Sequence, residues 1–110
     1  MSEVVVVAVL TAAEGQGPEV EALIADSLIP STHDEAGCIT FALHRDLSDP
    51  HRLVLVERWA GRKALDEHLN SDHLAAFRAA VASLSAAPAQ VIVMEAVPAG
   101  TAGKGTLAGG

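Results

Sequence analysis

Residues 37–59 read GCITFALHRDLSDPHRLVLVERW, and the way this stretch pairs with itself decides the fold. The runs 37–46 and 51–59 are strand-like, and the Ser, Asp and Pro of the intervening LSDP are turn formers, so together they predict a β-hairpin. With Asp46 and His51 as its last pair, Cys38, Thr40, Ala42 and His44 share one face with Trp59, Glu57, Leu55 and Leu53. The other face then carries Ile39, Phe41 and Leu43 beside Val54 and Val56.

Upstream, EVVVVAVLT (3–11) is a β-branched run without alternation, the pattern of a central strand covered on both faces. After EGQGP, Pro18 and Glu19 open a helix whose apolar positions Val20, Leu23, Ile24 and Leu28 follow the 3.6-residue period, with Pro30 disturbing its end. Downstream, helices are predicted at about 62–70 and 72–82 with Ser71 as the N-cap between them, and AQVIVMEAV (89–97) is a last strand. The order β, α, β, β, α(α), β is the split pattern of an α+β, ferredoxin-like domain. That domain spans 3–97, and the Gly/Ala-rich 98–110 has too little apolar bulk to repay its ordering and is expected to be a flexible tail.

The 110 residues are half apolar, enough for one small core. Seven Lys+Arg against 14 Asp+Glu give a net charge of −7, with three aromatic side chains and no basic run. Nucleic acid and anionic membrane surfaces therefore lack their electrostatic footprint here. Cys38 stands alone, which excludes an internal disulfide and suits a reducing compartment. MSEVVVVAVL has no basic leader pattern and too short an apolar run to span a bilayer, so a cytoplasmic location is expected.

Helices in such a fold cover one face of the sheet, yet the face carrying Ile39, Phe41, Leu43, Val54 and Val56 is also apolar. A second copy in a two-fold homodimer is the simplest cover. The face under the helices holds Glu57, Trp59, Thr40 and His44. His68 shares the apolar side of its helix with Ala64, Leu65 and Leu69, and His73 precedes the stripe Leu74, Phe77, Val81. Convergent polar groups in an apolar cleft make a candidate site. Each also has a structural reading: Glu57 as a hydrogen-bonded buried carboxylate, Trp59 as core, His68 as a satisfied core histidine. His68 and His73 are five apart, not the four that align two ligands on one helical face, so no metal site is expected. There is no phosphate loop and no nucleophile elbow, and no nucleotide cofactor is implied.

The stretch 35–77, EAGCITFALHRDLSDPHRLVLVERWAGRKALDEHLNSDHLAAF, resembles the antibiotic biosynthesis monooxygenase (ABM) family. Its members share an E-x-G-C turn, a hairpin ending in E-x-W, and the pattern A-L-x-x-H-x-x-S-x-H-x-x-x-F. The resemblance implies a dimeric α+β barrel in which two four-stranded sheets face one another. It also implies oxygenation of small electron-rich aromatics (a quinol, anthrone or polyphenol) by O₂ without metal or other cofactor. On that reading His68 is the catalytic base with Glu57 as its orienting partner, and Trp59, His73, Thr40, His44 and Phe77 bind substrate. The chain has no tyrosine, and Phe41 stands where family members often carry one. The Asn–Trp–His set of haem-degrading relatives is absent. Two other functions stay open: a non-catalytic dimeric small-molecule binding protein, and an isomerase of a phosphorylated signalling sugar using Arg58, Arg62 or Arg78 for the phosphate.

Overall fold

The computed structural model of the chain describes residues 2–107. Strand β1 (Val4–Thr11) leads to helix α1 (Gly17–Leu23), a π-type segment (Ile24–Leu28) and α2 (Ile29–His33), which run on without a break. The hairpin strands β2 (Cys38–Arg45) and β3 (Arg52–Trp59) follow, then α3 (Arg62–Leu69), α4 (Asp72–Val81), a 3₁₀ turn (Ala82–Leu84) and β4 (Gln90–Met94). The four antiparallel strands lie in the order β2-β3-β1-β4. This is the α+β, ferredoxin-like architecture expected from the element order.

One face of the sheet makes the core. Val6, Ala8, Leu10, Leu53, Leu55 and Trp59 pack under Val20, Ile24, Leu28, Leu65, Phe77 and Val81 of the helices, all buried. Each large side chain so buried contributes about 1.5–3 kcal/mol. Ser71 caps α4 as expected, its Oγ accepting from the Leu74 N–H. Pro30 was expected to disturb the end of the first helix, yet the chain stays helical to His33. A proline lacks an N–H and its ring presses on the carbonyl four residues back, here Asp26, and the wider π-type turn at Ile24–Leu28 makes room for both. β4 is shorter than the predicted 89–97. Residues 95–107 form no helix or strand, and Thr101 O gathers the N–H groups of Lys104 and Gly105. Among the described residues no helix is long and apolar enough to cross a membrane.

The register of the hairpin corrects the sequence-based pairing by one residue. Asp46 N–H bonds to Arg52 O at 3.0 Å, not to His51, and the Asp49 carboxylate holds the His51 N–H at 3.0 Å. His51 thereby joins the turn, and Phe41 pairs with Glu57 and Leu43 with Leu55. A bulge between Cys38 and Thr40 absorbs the extra residue, so Cys38 still faces Trp59. Because side chains alternate, the slip exchanges the faces of β2. Phe41 is buried under the helices, whereas Thr40, Ala42 and His44 join Val54 and Val56 on the open face. Val7, Val9 and Ile92 extend that open face across β1 and β4.

The bulge begins beside Gly37, whose place is set by space rather than by its backbone angles. A Cβ there would stand 2.3 Å from the Cβ of Ala64 on α3. Glycine is therefore what lets α3 lie against the start of β2, while Ala60 N–H bonds to Gly37 O at 2.9 Å. Gly37→Ala should destabilise the protein by about 1–3 kcal/mol in urea unfolding, as overpacking does. Ala64→Gly should recover part of the loss in the double variant, whereas Gly103→Ala, with no neighbour within 4 Å of its added Cβ, should leave the midpoint almost unchanged.

Candidate functional site

A cavity of about 690 Å³ lies between the sheet and the helices. Its walls are apolar: Val6, Phe41 and Leu55 from the central strands, Leu65, Leu74 and Phe77 from the helices. The uncovered edge residues Val91 and Val93 complete one side. The ionisable groups facing it are Glu57, His68 and Arg78.

His68 is brought to this cavity by α3, where it follows Leu65 by three residues and shares its buried side. Its ring lies against Trp59, centroids 4.6 Å apart, and against Phe41 at 5.4 Å. Its Nδ1 is 2.7 Å from Glu35 Oε2, and the same oxygen is 2.7 Å from His73 Nε2. A carboxylate oxygen only accepts, so both imidazoles donate to it, and the tautomer of His68 is fixed with Nε2 free of a proton. Nε2 has no protein partner among the described residues and is left to the cavity. Burial pushes the His68 pKa down, outweighing the opposing pull of Glu35, with His73 and Arg78 adding to the decrease. His68 is accordingly a neutral base at pH 7.

Glu57 behaves in the opposite sense. Trp59 Nε1–H donates to its Oε1 at 3.0 Å, and the second oxygen has no protein partner. Burial raises its pKa to about 7, against the effect of the Trp59 bond and with help from the charge of Glu35. Burial likewise pushes the Cys38 thiol up, aided by Glu35 and Glu57, which keeps it protonated and unreactive.

The residues expected at the site therefore separate into three groups. His68, Glu57 and Phe77 line the cavity. Trp59 is fully buried behind His68 and Glu57, where it holds both without presenting surface to a ligand, and His73 sits on the far side of Glu35. Thr40 and His44 lie on the opposite face of the sheet: Thr40 Oγ1 accepts from Arg58 Nη1 at 3.3 Å, and His44 is exposed. Their displacement is the one-residue register shift. The orienting partner of His68 is Glu35 and not Glu57. Glu35 was visible only as the first letter of the E-x-G-C turn, because no local periodicity places a loop residue against two helices. Phe41 lies on the cavity face and not on the open face that the unshifted register gives it.

The spacing argument against a metal site does not apply to this geometry. His68 and His73 come from different helices, and with Glu35 their donor atoms lie within 4.8 Å of one another. Two imidazoles and a carboxylate are a donor set that suits a divalent transition ion. In the hydrogen-bonded arrangement the carboxylate occupies the centre of the set.

A four-stranded antiparallel sheet covered on one face by helices, with an imidazole and a carboxyl group in the apolar pocket between them, places the chain in the ferredoxin-like α+β class. The chain belongs to the ABM family: the family model "Antibiotic biosynthesis monooxygenase" matches residues 3–80. It is 41% identical over 69 residues to the Mycobacterium tuberculosis protein named "Putative monooxygenase Rv0793", covering 63% of this chain and 67% of that one. The solved structure of Rv0793 superposes with a TM-score of 0.81 at 33% identity, covering 91% of this chain and all of the other. PA3566 from Pseudomonas aeruginosa is also similar, with a TM-score of 0.79, 26% identity, and coverage of 88% and 96%.

The raised pKa of Glu57 fixes a sign. Between the ordinary value of 4.5 and about 7 the folded state holds a proton that the unfolded chain has lost, so this group's stabilisation declines as pH rises through that window. His68, with its depressed pKa, acts in the opposite direction near its own range, so Glu57 is isolated as the difference between parent and Glu57→Gln. That difference should shift by up to about 3 kcal/mol from pH 4.5 to 7 in urea melts. Parallel pH curves for the two proteins would show that Glu57 titrates normally.

Proposed function

We propose that this protein is a cofactor-independent monooxygenase that oxidises a small quinol, anthrone or polyphenol with O₂. The observation that carries the reading is the imidazole of His68, neutral and held by Glu35, with a free Nε2 facing an apolar cavity of about 690 Å³. The cavity is within the usual range for a small organic ligand.

In the proposed reaction Nε2 removes the acidic proton of the bound substrate, leaving an electron-rich anion. Glu35 stabilises the imidazolium so formed, and Glu57 in its acid form donates a hydrogen bond to a substrate oxygen. The anion gives an electron to O₂, the resulting radicals combine, and the peroxide breaks down. For an anthrone, the methylene carbon loses two hydrogens and gains one oxygen atom as a carbonyl, while the other oxygen atom leaves as water. The substrate itself supplies all the electrons, at the methylene carbon in the anthrone case, and apolar walls surround the reacting groups.

Oxygen uptake by metal-stripped protein with a panel of quinols and anthrones tests this directly. His68→Ala should lower kcat by about 100-fold or more, the usual contribution of a general base. Glu35→Gln should lower the pKa of the acid limb of the kcat/KM profile, since Glu35 raises that of His68. Unchanged uptake in His68→Ala would remove His68 from the mechanism. Aromatic ligands that stabilise the protein without oxygen consumption would identify a binding protein, and turnover of a phosphorylated sugar would identify an isomerase.

The open face of the sheet bears on assembly. Val7, Val9, Val54 and Val56, with Ile92 at 56% exposure, form an apolar surface rarely left uncovered in a monomer. We propose that a second copy covers it in a homodimer. Light scattering should give twice the chain mass for the parent, and Val54→Asp, which puts a carboxylate in that surface, should dissociate or aggregate the protein. A parent that is monomeric at micromolar concentration would overturn the dimer.

A further inference from the structure

Four of the five arginines are engaged with carboxylates: Arg45 with Glu21, Arg52 with Asp46, Arg58 with Glu3 and Arg62 with Asp66. Arg78 is different. It has no ion-pair or side-chain hydrogen-bond partner among the described residues, and it lines the cavity. It lies one turn of α4 beyond Leu74 and one turn before Val81, both also cavity residues, and its charge is near enough to His68 to depress that imidazole.

The electrostatics make the isolation meaningful. Burial drives His68 toward its neutral form and Glu57 toward its acid form, so the guanidinium is the group facing the cavity that stays charged across the neutral range. This positive charge stands in a protein of net charge −7. A guanidinium with its donors unspent, at the rim of an apolar cleft, matches a planar anion that can take two of its N–H groups.

We infer that Arg78 is a specificity-determining residue that binds an anionic substituent, so that the ligand of this site is an aromatic acid: a flat apolar body against Phe41 and Phe77, with its anionic group on Arg78. The inference deepens the monooxygenase reading by naming its substrate class, and rests on that reading only for turnover. A carboxylate and a phosphate monoester share the required chemistry.

Isothermal titration under anaerobic conditions tests it on the whole protein with three matched probes: a hydroxynaphthoic acid, its uncharged methyl ester and a naphthyl phosphate. The parent should bind the better of the two anions about tenfold or more tightly than the ester, as expected for a hydrogen bond between charged groups. In Arg78→Gln that preference should vanish while ester affinity is kept. Arg78→Lys, which retains charge without the planar fork, should keep part of it. Arg62→Gln, which alters an exposed arginine paired with Asp66, should match the parent. The tighter of the two anions identifies carboxylate or phosphate as the recognised group. Equal binding of anion and ester by the parent, or an unaltered preference in Arg78→Gln, would overturn the inference and leave the aromatic monooxygenase standing. Arg78-dependent anion binding without oxygen uptake by any acidic quinol would overturn the monooxygenase and leave the anion site. Failure of all three probes to bind would remove both.

Discussion

One carboxylate oxygen ties three separate parts of the chain together. Glu35, in the loop before β2, receives hydrogen bonds of 2.7 Å from His68 near the end of α3 and from His73 at the start of α4. Both bonds are charge-assisted and largely withdrawn from water, with Glu35 at 17% side-chain exposure and His68 at 4%. Two further contacts act at the same junction. α3 packs against Gly37 with no room for a Cβ, and the Ser71 hydroxyl between the helices donates to His68 O at 2.6 Å while capping α4. The helix pair thus reaches the sheet at a fixed angle, and the cavity is the space that remains.

Most of the framework was legible in sequence because it rests on local signals. The β-branched runs, the Ser71 cap and the 3.6-residue stripe of α3 and α4 each determine their own element. The hairpin register was not legible, since LSDP contains the residues of a four-residue turn and nothing in the string shows that Asp49 also captures the next N–H. With His51 held in the turn by that side-chain carboxylate, the shifted register makes Phe41 a cavity wall and places Thr40 and His44 away from the site. The bulge at Cys38–Thr40 then conceals the slip, because the Cys38–Trp59 end pairs as predicted. Glu35 was missed for a different reason: its role exists only when β2, α3 and α4 are assembled, and tertiary contacts of loop residues carry no periodicity.

Trp59 illustrates how a residue can matter to the site without touching a ligand. It is fully buried, its indole N–H donates to Glu57, and its ring lies 4.6 Å from that of His68. The N–H bond favours the carboxylate form of Glu57, yet the burial to which the indole contributes favours the acid form by more. The same apolar packing that gives the domain its stability therefore sets the protonation of its cavity. Stability and site chemistry share one cause here.

Desolvation acts on the two groups with opposite sign, lowering His68 and raising Glu57, and in both cases the neutral form gains. On the proposed reading, a base and an acid that both favour their neutral forms leave the Arg78 guanidinium as the standing charge of the cavity, and the next charges to appear there are those created by proton transfer. The imidazolium then lies against Glu35, a carboxylate already in position and already bonded to Nδ1, so no reorganisation is needed to stabilise it. The proposed substrate anion meets the acid proton of Glu57 and, at the rim of the cavity, the guanidinium of Arg78. Under the proposed reaction the proton is met by a carboxylate in direct contact, whereas the electrons left behind are met by an acid proton and a guanidinium at the rim, and it is the deprotonated, electron-rich form of an aromatic that O₂ oxidises most readily.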